Sequence, residues 1–458
     1  MNLHEFIAEA ERQGWLHTVA KRVSVEYELA AVAYALDGYP VLFERVMPPT
    51  AEEGTKPYPY RVLSGLASHR RHFALALACA PDELLHRLAE ALEHPRPAPL
   101  VEHGPCQEVV ERPADLTTLP ILRHWPEDAG PYATAAVAII RDPDTGLNAS
   151  YHRLLRLDER RFVARLVENR GAHTAWQKCP QGLPVAICIG LPLHVLLAAS
   201  MAPPPGVSEL DIAHGLKDTP LVSCLTHDLP VPAEAEFVLE GRITHQLADE
   251  GPFVDLTETG DIVRRQPIVE IECITHRRNA IYHALLPGQL EHKLLMGMPR
   301  EPGIFSAVNQ VVCCRNVHIT PGGASWLHAV VQIQKQHPDD GRKAIEAAFR
   351  GHSSLKHVVV VDEDIDIFSP DQVEWAIATR FQAGRDLYIF RDRPSSSLDP
   401  SARHTPGRKS RSDKMGLDAT IPWDTPTGPS EPEHYRRLRL PVVDPTPYLA
   451  SQPDRLDD

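Results

Sequence analysis

The sequence predicts a multidomain protein of the α/β (α+β) class, with a strand-rich middle between two segments in which helices and strands alternate. Its 458 residues are more than one small domain holds, so we expect two or three domains. Hydrophobic residues make up 43% and charged residues 24% of the chain, a balance that supports a packed core. The periodicity of the apolar residues changes twice along the chain, which predicts the domains 1–105, 106–315 and 316–458.

The first segment alternates helical and strand-like patterns. Apolar residues from Leu3 to Ala10 have helical spacing and precede Gly14, a natural helix stop. Residues 40–46 form a strand-like run, and leucines at helical spacing over 84–92 come before a proline. The proline-rich stretch 94–105 predicts a connector to the next domain.

The middle segment is dominated by strand patterns. Two short apolar runs that flank a polar turn predict a hairpin over 153–167, and one helix is predicted at 193–201. Many strands with few helices favour a sandwich or a barrel. The other predicted strands are 133–141, 185–190, 221–227, 236–241, 268–275 and 280–286.

The last segment returns to alternation. Strand-like runs begin at Trp326 and at Lys356, and helical patterns cover 342–349 and 372–380. This order predicts an α/β layer built on a mostly parallel sheet.

Composition and charge exclude several classes of protein. The net charge of −14 argues against a general nucleic-acid binder, which needs a basic surface. No apolar run reaches the roughly 18 residues of a membrane span. The eight cysteines form no CxxC pair, so we expect buried thiols in a cytoplasmic protein and neither a disulfide framework nor a zinc site.

Two groups of polar residues follow predicted strands and are suited to binding ions. Asn148 offers a neutral oxygen to a hard cation, and Arg153 can form paired hydrogen bonds with a carboxylate or phosphate. Arg170 and Gly171 can hold an anion with a guanidinium and backbone N–H groups. Taken singly, each group is more typical of an ordinary turn with a solvated arginine.

Three further groups contain acids or a lysine beside turn residues. Glu209 follows Ser208, a suitable helix cap, and would form with Asn148 an all-oxygen pair suited to Mg²⁺ or Mn²⁺. Glu250 and Asp255 lie on either side of a Gly-Pro turn, where crowding can keep one carboxyl protonated as a general acid. Lys414 lies near a glycine and can approach a phosphate. The alternative is an exposed acidic turn and a flexible basic loop.

Taken in order, these motifs resemble the UbiD family, whose members are decarboxylases that use prenylated FMN. The resemblance implies an N-terminal α/β segment, a central split β-barrel that binds the flavin, and a C-terminal α/β domain used in oligomerisation. It rests on residues throughout the chain: Asp128 to Tyr132, Asn148 to Arg153, Arg170-Gly171, Gly206 to Glu209, Glu250 to Phe253 with Asp255, Trp375 to Arg380, and Lys414 to Thr420.

The resemblance also assigns roles to individual residues. It implies that Asn148 and Glu209 coordinate Mn²⁺ or Mg²⁺, which clamps the cofactor phosphate, with a monovalent ion such as K⁺ nearby and Lys414 near the phosphate. The catalytic network would be Arg153, Glu250 and Asp255. The residues implied to line the cofactor are Tyr151, His152, Arg153, Arg165, Leu166, Val167, Arg170 and Gly171.

The implied reaction is the non-oxidative loss of CO₂ from an aromatic or α,β-unsaturated carboxylic acid. Side chains cannot absorb the charge that CO₂ leaves on carbon, so a cofactor must act as electron sink, and Asp255 is our choice of acid to protonate that carbon. Alternatives are the reverse carboxylation of a phenolic or heteroaromatic compound, and a flavin- or metal-binding subunit without its own turnover. The expected partners are a small carboxylic acid, a flavin prenyltransferase that supplies the cofactor, and further copies of the chain in a dimer or hexamer.

The chain departs from the family pattern at two places. Some relatives carry a histidine as a third metal ligand near Asn169, so Asn169, His173 or neither completes the site. Val254 stands where relatives often have glycine, and a β-branched residue allows fewer backbone angles. This substitution predicts a differently shaped loop before Asp255.

Overall fold

The computed structural model describes residues 1–168, 170–405, 408–425, 428–435, 437–438 and 440–448. Helices and strands are both abundant, as the predicted mixed class requires. None of the described helices is long and apolar enough to cross a bilayer. The α-helices are Leu3–Arg12, Glu28–Ala35, Arg70–Leu77, Leu84–Glu93, Gly171–Lys178, Leu193–Ala199, Glu209–Leu216, Leu290–Gly297, Glu301–Asn309, Asp340–Gly351, Pro370–Arg380 and Ala383–Asp386.

The first sheet joins the N-terminal segment to the middle of the chain. Its strands, in spatial order, are His17–Ser24, Val41–Met47, Arg61–Ser64 and Ile281–His283. The last strand pairs in parallel with Arg61–Ser64, so the predicted strand at 280–286 belongs to this sheet and not to the central one. A parallel partner needs no hairpin, which is why local sequence did not reveal the pairing.

The central sheet is antiparallel and contains the predicted hairpin. Along the described residues the path of paired strands does not close into a barrel. The predicted strand at 221–227 is shorter, Leu221–Ser223, and pairs with Pro230–Pro232 outside this sheet. In spatial order the central strands are Tyr132–Ala133, Leu154–Arg156, Arg161–Ala164, Arg264–His276, Phe237–Glu250, Leu183–Ile189, Val137–Asp142 and Gly146–Tyr151, and Val109–Glu111 also pairs with Arg264–His276.

The third sheet is mixed. In spatial order its strands are Cys313–Ile319, His328–Gln334, His357–Asp362, Arg411–Asp418 and Leu387–Pro394. The two inner pairings are parallel and the two outer ones antiparallel, which corrects the predicted mostly parallel sheet. The first of these strands crosses residue 315, so the sheet begins before the predicted boundary.

Both faces of the strand His357–Asp362 are covered. Val358 and Val360 pack on the side of the helix Asp340–Gly351, whereas Val359 and Val361 pack with residues of Pro370–Arg380. A strand buried on both faces needs a continuous apolar run, which explains the four consecutive valines.

Two long strands of the central sheet determine where the acids lie. Phe237–Glu250 pairs with Arg264–His276, and the last matched residues are Glu250 and Arg264. The chain between them forms a hairpin at the end of the sheet. Within it, Phe253–Val254 pairs with Gly260–Asp261. Several acids are therefore brought to one end of the sheet.

Candidate active site

Arg153 lies at the centre of a network of three carboxylates. Its Nε and Nη2 atoms donate to the two oxygens of Glu250 at 2.8 and 3.0 Å. Its Nη1 donates to Asp255 at 2.5 Å, and Nη2 also donates to Asp261 at 2.7 Å. A second guanidinium, that of Arg264, donates to Asp261 at 2.7 Å. The structure therefore brings together the three predicted catalytic residues and adds two.

Within this network, Glu250 is held in place by burial and by several hydrogen bonds. Its side chain is completely buried, and one of its oxygens accepts a third hydrogen bond from the Tyr132 hydroxyl at 3.2 Å. The same hydroxyl accepts from the backbone N–H of Gly251 at 3.1 Å. The Arg153 guanidinium lies over the Phe253 ring at 4.6 Å. Packing and hydrogen bonds together hold the guanidinium in one orientation.

The network stabilises the charged form of Arg153. Burial disfavours the guanidinium charge, but the hydrogen bonds and charges of Glu250, Asp255 and Asp261 outweigh it and raise the pKa of Arg153 above its ordinary value. The network also stabilises the charged form of Asp261. Burial raises the pKa of this carboxyl, and the two guanidiniums outweigh burial and lower it.

The loop before Asp255 is held from outside the hairpin. The backbone N–H of Val254 donates to the Asp128 carboxylate at 3.1 Å, and the Val254 side chain is buried. Asp128 belongs to the 128–132 motif, so this motif supports the loop that carries the acid. Asp261 was not predicted from the sequence. Its one signal there is its spacing, three residues before Arg264 and close after a glycine turn.

A second cluster surrounds Asn148 and Glu209. Asn148 Nδ2 donates to one oxygen of Glu209 at 2.9 Å, and the backbone N–H of Ala149 donates to the other at 2.8 Å. The Ser208 hydroxyl caps the helix by accepting from the N–H of Leu210, as predicted. Burial raises the pKa of Glu209 to about 7. This buried carboxylate has no cationic side chain bound to it among the described residues, so a bound cation would stabilise it.

Positive charge lies close to the Asn148–Glu209 pair. Gly171 begins a helix beside it, and a Cβ added there would lie 3.5 Å from Asn148 Oδ1. Arg170 occupies the N-cap position of that helix. The half-buried Arg300 lies within electrostatic range of Arg170 and Glu209, and its buried Nε has no hydrogen-bond partner among the described residues. Burial and the nearby Arg170 lower the pKa of Arg300 to about 10.

The sequence analysis did not identify Arg300. The helix that ends at this residue also contains Pro299, and no polar motif marks the position. Its guanidinium lies 5.6 Å from the centre of the Trp326 ring. Only the folded chain places it beside Glu209.

The residues predicted to line the cofactor differ in their contacts. His152 bonds the carbonyl of Arg165 at 2.9 Å through Nδ1, and its Nε2 lies 3.1 Å from the Ser150 hydroxyl. The backbone N–H of Leu166 donates to a buried glutamine, Gln266, at 2.8 Å. The Tyr151 hydroxyl is buried and has no hydrogen-bond partner in the described part of the chain. Val167 is exposed by 46%.

Lys414 makes its contacts elsewhere. It is buried in the strand Arg411–Asp418, donates to the carbonyl of Ser353 at 2.7 Å and lies 5.0 Å from the centre of the Phe349 ring. Burial lowers the pKa of Lys414 to about 8. No described contact joins Lys414 to the Asn148–Glu209 pair. His352 lies within electrostatic range of both Arg300 and Lys414, which links the two regions.

The structure adds no third acid, histidine or cysteine to the pair. In the described part of the chain, no group of three such residues is arranged to hold a metal. Asn169 lies outside the described residues. His173 lies in the helix Gly171–Lys178, with its ring 5.7 Å from that of Trp176. The choice between these residues stays open.

Three domain families match the chain in order. Residues 7–92 match the N-terminal domain of 3-octaprenyl-4-hydroxybenzoate carboxy-lyase, residues 100–290 its Rift-related domain, and residues 293–419 its C-terminal domain. These matches cover most of the described residues and both clusters around Arg153 and Glu209.

Relatives and solved structures agree with these matches. The chain is 45% identical over 369 residues to anhydromevalonate phosphate decarboxylase of Methanothermobacter thermautotrophicus, covering 79% of this chain and 85% of the relative. It is 39% identical to the enzyme of the same name from Methanosarcina mazei, covering 92% and 96%. The UbiD-class enzyme HmfF from Pelotomaculum thermopropionicum, solved with FMN, has 40% identity and a TM-score of 0.89 over 98% of this chain and 100% of that one. From these matches we conclude that the chain belongs to the UbiD family and is a carboxy-lyase, a decarboxylase.

Proposed function

We propose that this protein is a prenylated-FMN-dependent, non-oxidative decarboxylase that removes CO₂ from an α,β-unsaturated or aromatic carboxylic acid. The observation that carries the proposal is the network in which Arg153 binds Glu250 and Asp255. Structures of HmfF contain FMN in one case and prenylated FMN in another, which supports a prenylated flavin for this chain. When bound, that cofactor supplies the electron sink that the side chains lack.

The residues present fit the phosphate end of such a cofactor. Asn148 and Glu209 provide oxygens, the donors that Mn²⁺ and Mg²⁺ prefer, and a divalent cation would replace the hydrogen bond between them. The helix that begins at Gly171 directs N–H groups to the same place, and Arg300 brings a half-buried guanidinium whose Nε has no partner among the described residues. We therefore propose that Asn148 and Glu209 hold the metal and that Arg170 and Arg300 hold the phosphate. Lys414 and a K⁺ ion remain further proposed components.

The hydrogen bonds within the network identify the acid. Glu250 accepts two guanidinium hydrogen bonds and Asp261 accepts two, whereas Asp255 accepts one. Each guanidinium hydrogen bond stabilises the ionised carboxylate, and Asp255 accepts the fewest, so we assign the role of proton donor to Asp255. In the proposed reaction the bond to CO₂ breaks, and the carbon receives the Asp255 proton. Water then returns a proton to Asp255.

Arg153 has little capacity left for a substrate. Four of its five N–H groups already donate to Glu250, Asp255 and Asp261, so one N–H on Nη1 is left for a substrate oxygen. We therefore propose that Arg153 chiefly positions the acids, with at most one hydrogen bond to the substrate carboxylate. This is a narrower role than the sequence analysis expected.

The names of the relatives suggest the first substrates to test. Several relatives that are 38–45% identical are named anhydromevalonate phosphate decarboxylase. We propose that this chain acts on an unsaturated acid of that kind, which carries a phosphate. Aromatic acids are the alternative, since solved structures with 25–26% identity are of 3,4-dihydroxybenzoic acid and vanillic acid decarboxylases. Reverse carboxylation and a subunit without its own turnover remain further alternatives.

The central antiparallel sheet is the proposed flavin-binding split barrel, and the third sheet lies in the proposed oligomerisation domain. We propose a dimer or hexamer located in the cytoplasm. A flavin prenyltransferase would supply the cofactor, because the proposed reaction requires the prenylated form.

The experiment that tests the function is turnover in D₂O. The chain is co-expressed with a flavin prenyltransferase, its bound cofactor is identified by mass and absorption, and it is incubated with anhydromevalonate phosphate and with aromatic acids. We expect release of CO₂ and deuterium at the carbon that carried the carboxyl group. A protein that contains prenylated FMN and a divalent metal but releases no CO₂ from any of these acids would contradict the proposal.

A further inference from the structure

Asp261 is the member of the network that the family resemblance does not include. Its carboxylate lies on the second strand of the hairpin, opposite Phe253, and accepts from Arg153 Nη2 and from Arg264. The Asp261 side chain is exposed by only 15%, and that of Arg153 by 10%. This ion pair is therefore shielded from water and is stronger than a surface pair.

The charges in the network do not balance. Glu250, Asp255 and Asp261 carry three negative charges when ionised, whereas Arg153 and Arg264 carry two positive charges. A shielded cluster with one excess negative charge favours the uptake of one proton. Asp255 has the fewest guanidinium contacts, so it is the site that this proton would occupy. Without Asp261, the remaining two acids and two guanidiniums would balance.

We propose that Asp261 is a positioning residue for the decarboxylase reaction: its carboxylate holds Arg153 against Glu250 and Asp255, and its charge keeps the transferable proton on Asp255. The inference rests on the proposed function and deepens it. Arg264 moderates the effect, since it binds the same oxygen of Asp261 and offsets part of the charge.

The remaining charged groups near Asp255 have partners of their own. The buried Glu291 accepts from the backbone N–H groups of Gly65 and Ala67 and bonds His283. Lys293 pairs with Glu258, and the Nδ1 of His292 accepts from the N–H of Gly288. Tyr132 donates to Glu250. None of these contacts involves the side chain of Asp261 or Arg264, so replacing either residue removes no partner from these groups.

The test is a carboxyl titration by NMR on the full chain labelled with ¹³C at the aspartate carboxyl carbons, without flavin and with FMN. The signal of Asp255 is identified by its loss in Asp255→Asn. We expect Asp261→Asn to lower the pKa of Asp255 by at least about half a unit, because a neighbouring negative charge is removed. Arg264→Gln should raise it, because a positive charge is removed. Asp249→Asn, at an exposed ion pair with Arg265, is the matched control and should leave it unchanged.

An electrostatic role predicts that the Asp255 pKa moves in opposite directions in Asp261→Asn and Arg264→Gln. Loosened packing would move this pKa in the same direction in both variants. If Asp261→Asn does not fold, Asp261→Ser takes its place, because it removes the same negative charge. Identical Asp255 titrations in the parent and in the folded variants would overturn the inference. In the holoenzyme, the alkaline limb of the rate profile should move with the Asp255 pKa. Because the titration needs no turnover, an inactive parent would contradict the proposed function and leave the result on Asp261 standing.

Discussion

At the scale of single residues, the clusters around Arg153 and around Glu209 contain similar side chains but differ in how their charges are paired. Around Arg153 every acid is paired with a guanidinium, and the carboxylates differ in how many hydrogen bonds they accept. Around Glu209 the acid has no bound cationic side chain in the described part of the chain, and Arg300 nearby forms no ion pair there. The first cluster therefore pairs its charges internally, whereas Glu209 and Arg300 in the second form no ion pair among the described residues.

Replacing the proposed acid is the most direct test at this scale. Asp255→Asn removes the proton donor and keeps the shape of the side chain. We expect kcat to fall by at least about 100-fold, the usual contribution of a general acid. Bound flavin, measured by absorption, should stay at the parent level, since Asp255 belongs to the Arg153 network and not to the proposed phosphate site around Asn148 and Glu209. Asp249→Asn is the control, and an Asp255→Asn enzyme with parent kcat would disprove the assignment.

Arg300 allows a test of the phosphate end that does not depend on turnover. Arg300→Gln removes a half-buried charge, so the dissociation constant for FMN should rise by about tenfold or more, the value of a lost charged hydrogen bond. Riboflavin lacks the phosphate, and its affinity should not change. Both constants follow from quenching of flavin fluorescence. The exposed Arg265→Gln is the control, and an equal loss for the two flavins would place Arg300 away from the phosphate.

At the scale of elements, one close backbone contact determines the geometry of the catalytic end. The strand Phe237–Glu250 approaches Arg264–His276 so closely at Gly241 that an added Cβ would lie 2.0 Å from the Glu270 carbonyl oxygen. The register shifts at this point, between Glu240 and Gly241. Beyond it the strands continue to the hairpin that carries Asp255 and Asp261, so the contact affects the position of both acids.

Gly241→Ala should therefore destabilise the central sheet. The added methyl group meets backbone, which must move, and such overpacking costs about 1–3 kcal/mol. We expect a lower melting temperature by calorimetry and weaker turnover, since the hairpin would shift. Gly260→Ala is the control, because a Cβ there has nothing within 4 Å. Equal melting temperatures for Gly241→Ala and the parent would contradict this prediction. They would show that the two strands can move apart at this point without loss of stability.

At the scale of the whole molecule, the site depends on segments that are distant in sequence. The first sheet includes a strand of the middle segment, and Arg70 of the N-terminal segment pairs with the buried Glu301 at 2.9 Å. Arg300, beside that glutamate, reaches the region of Glu209 in the middle segment. The proposed phosphate end thus lies where the middle and C-terminal segments meet, and we expect neither segment to bind the cofactor alone.

Buried histidines should control stability towards acid. Burial lowers the pKa values of His72, His124, His194 and His352 to about 3, whereas the unfolded chain takes up these protons near 6.5. Since the folded values are lowered, stability is present above pH 6.5 and decreases as the pH falls towards 3. Each histidine contributes about 1.4 kcal/mol per pH unit over this range.

The measurement is the melting temperature from pH 8 to pH 5. We expect a steep decrease below about 6.5 and a shallower one in His194→Gln, which removes one buried titrating group. His103→Gln is the control, because that side chain is exposed by 88% and is solvated in both states. A His194→Gln curve parallel to that of the parent would contradict the role of burial.

The sequence by itself determined the mixed fold class, the order of the motifs and the family, and it named the three residues that we propose as catalytic. These features depend on residue type and spacing, which local patterns preserve. It did not determine that residues 280–286 join the first sheet or that the third sheet is half antiparallel, because strand partners are chosen by packing over long distances.

Only the tertiary structure decided which charges meet. Asp261 reaches Arg153 across 108 residues because the hairpin pairs Phe253 with Asp261. Arg300 approaches Glu209 because a helix of the next segment packs against the middle one. Spacing along the chain cannot reveal either contact, since the strength of an ionic interaction depends on distance and burial in the folded protein. The sequence thus identified the family, and the fold decided which acids share the guanidinium of Arg153.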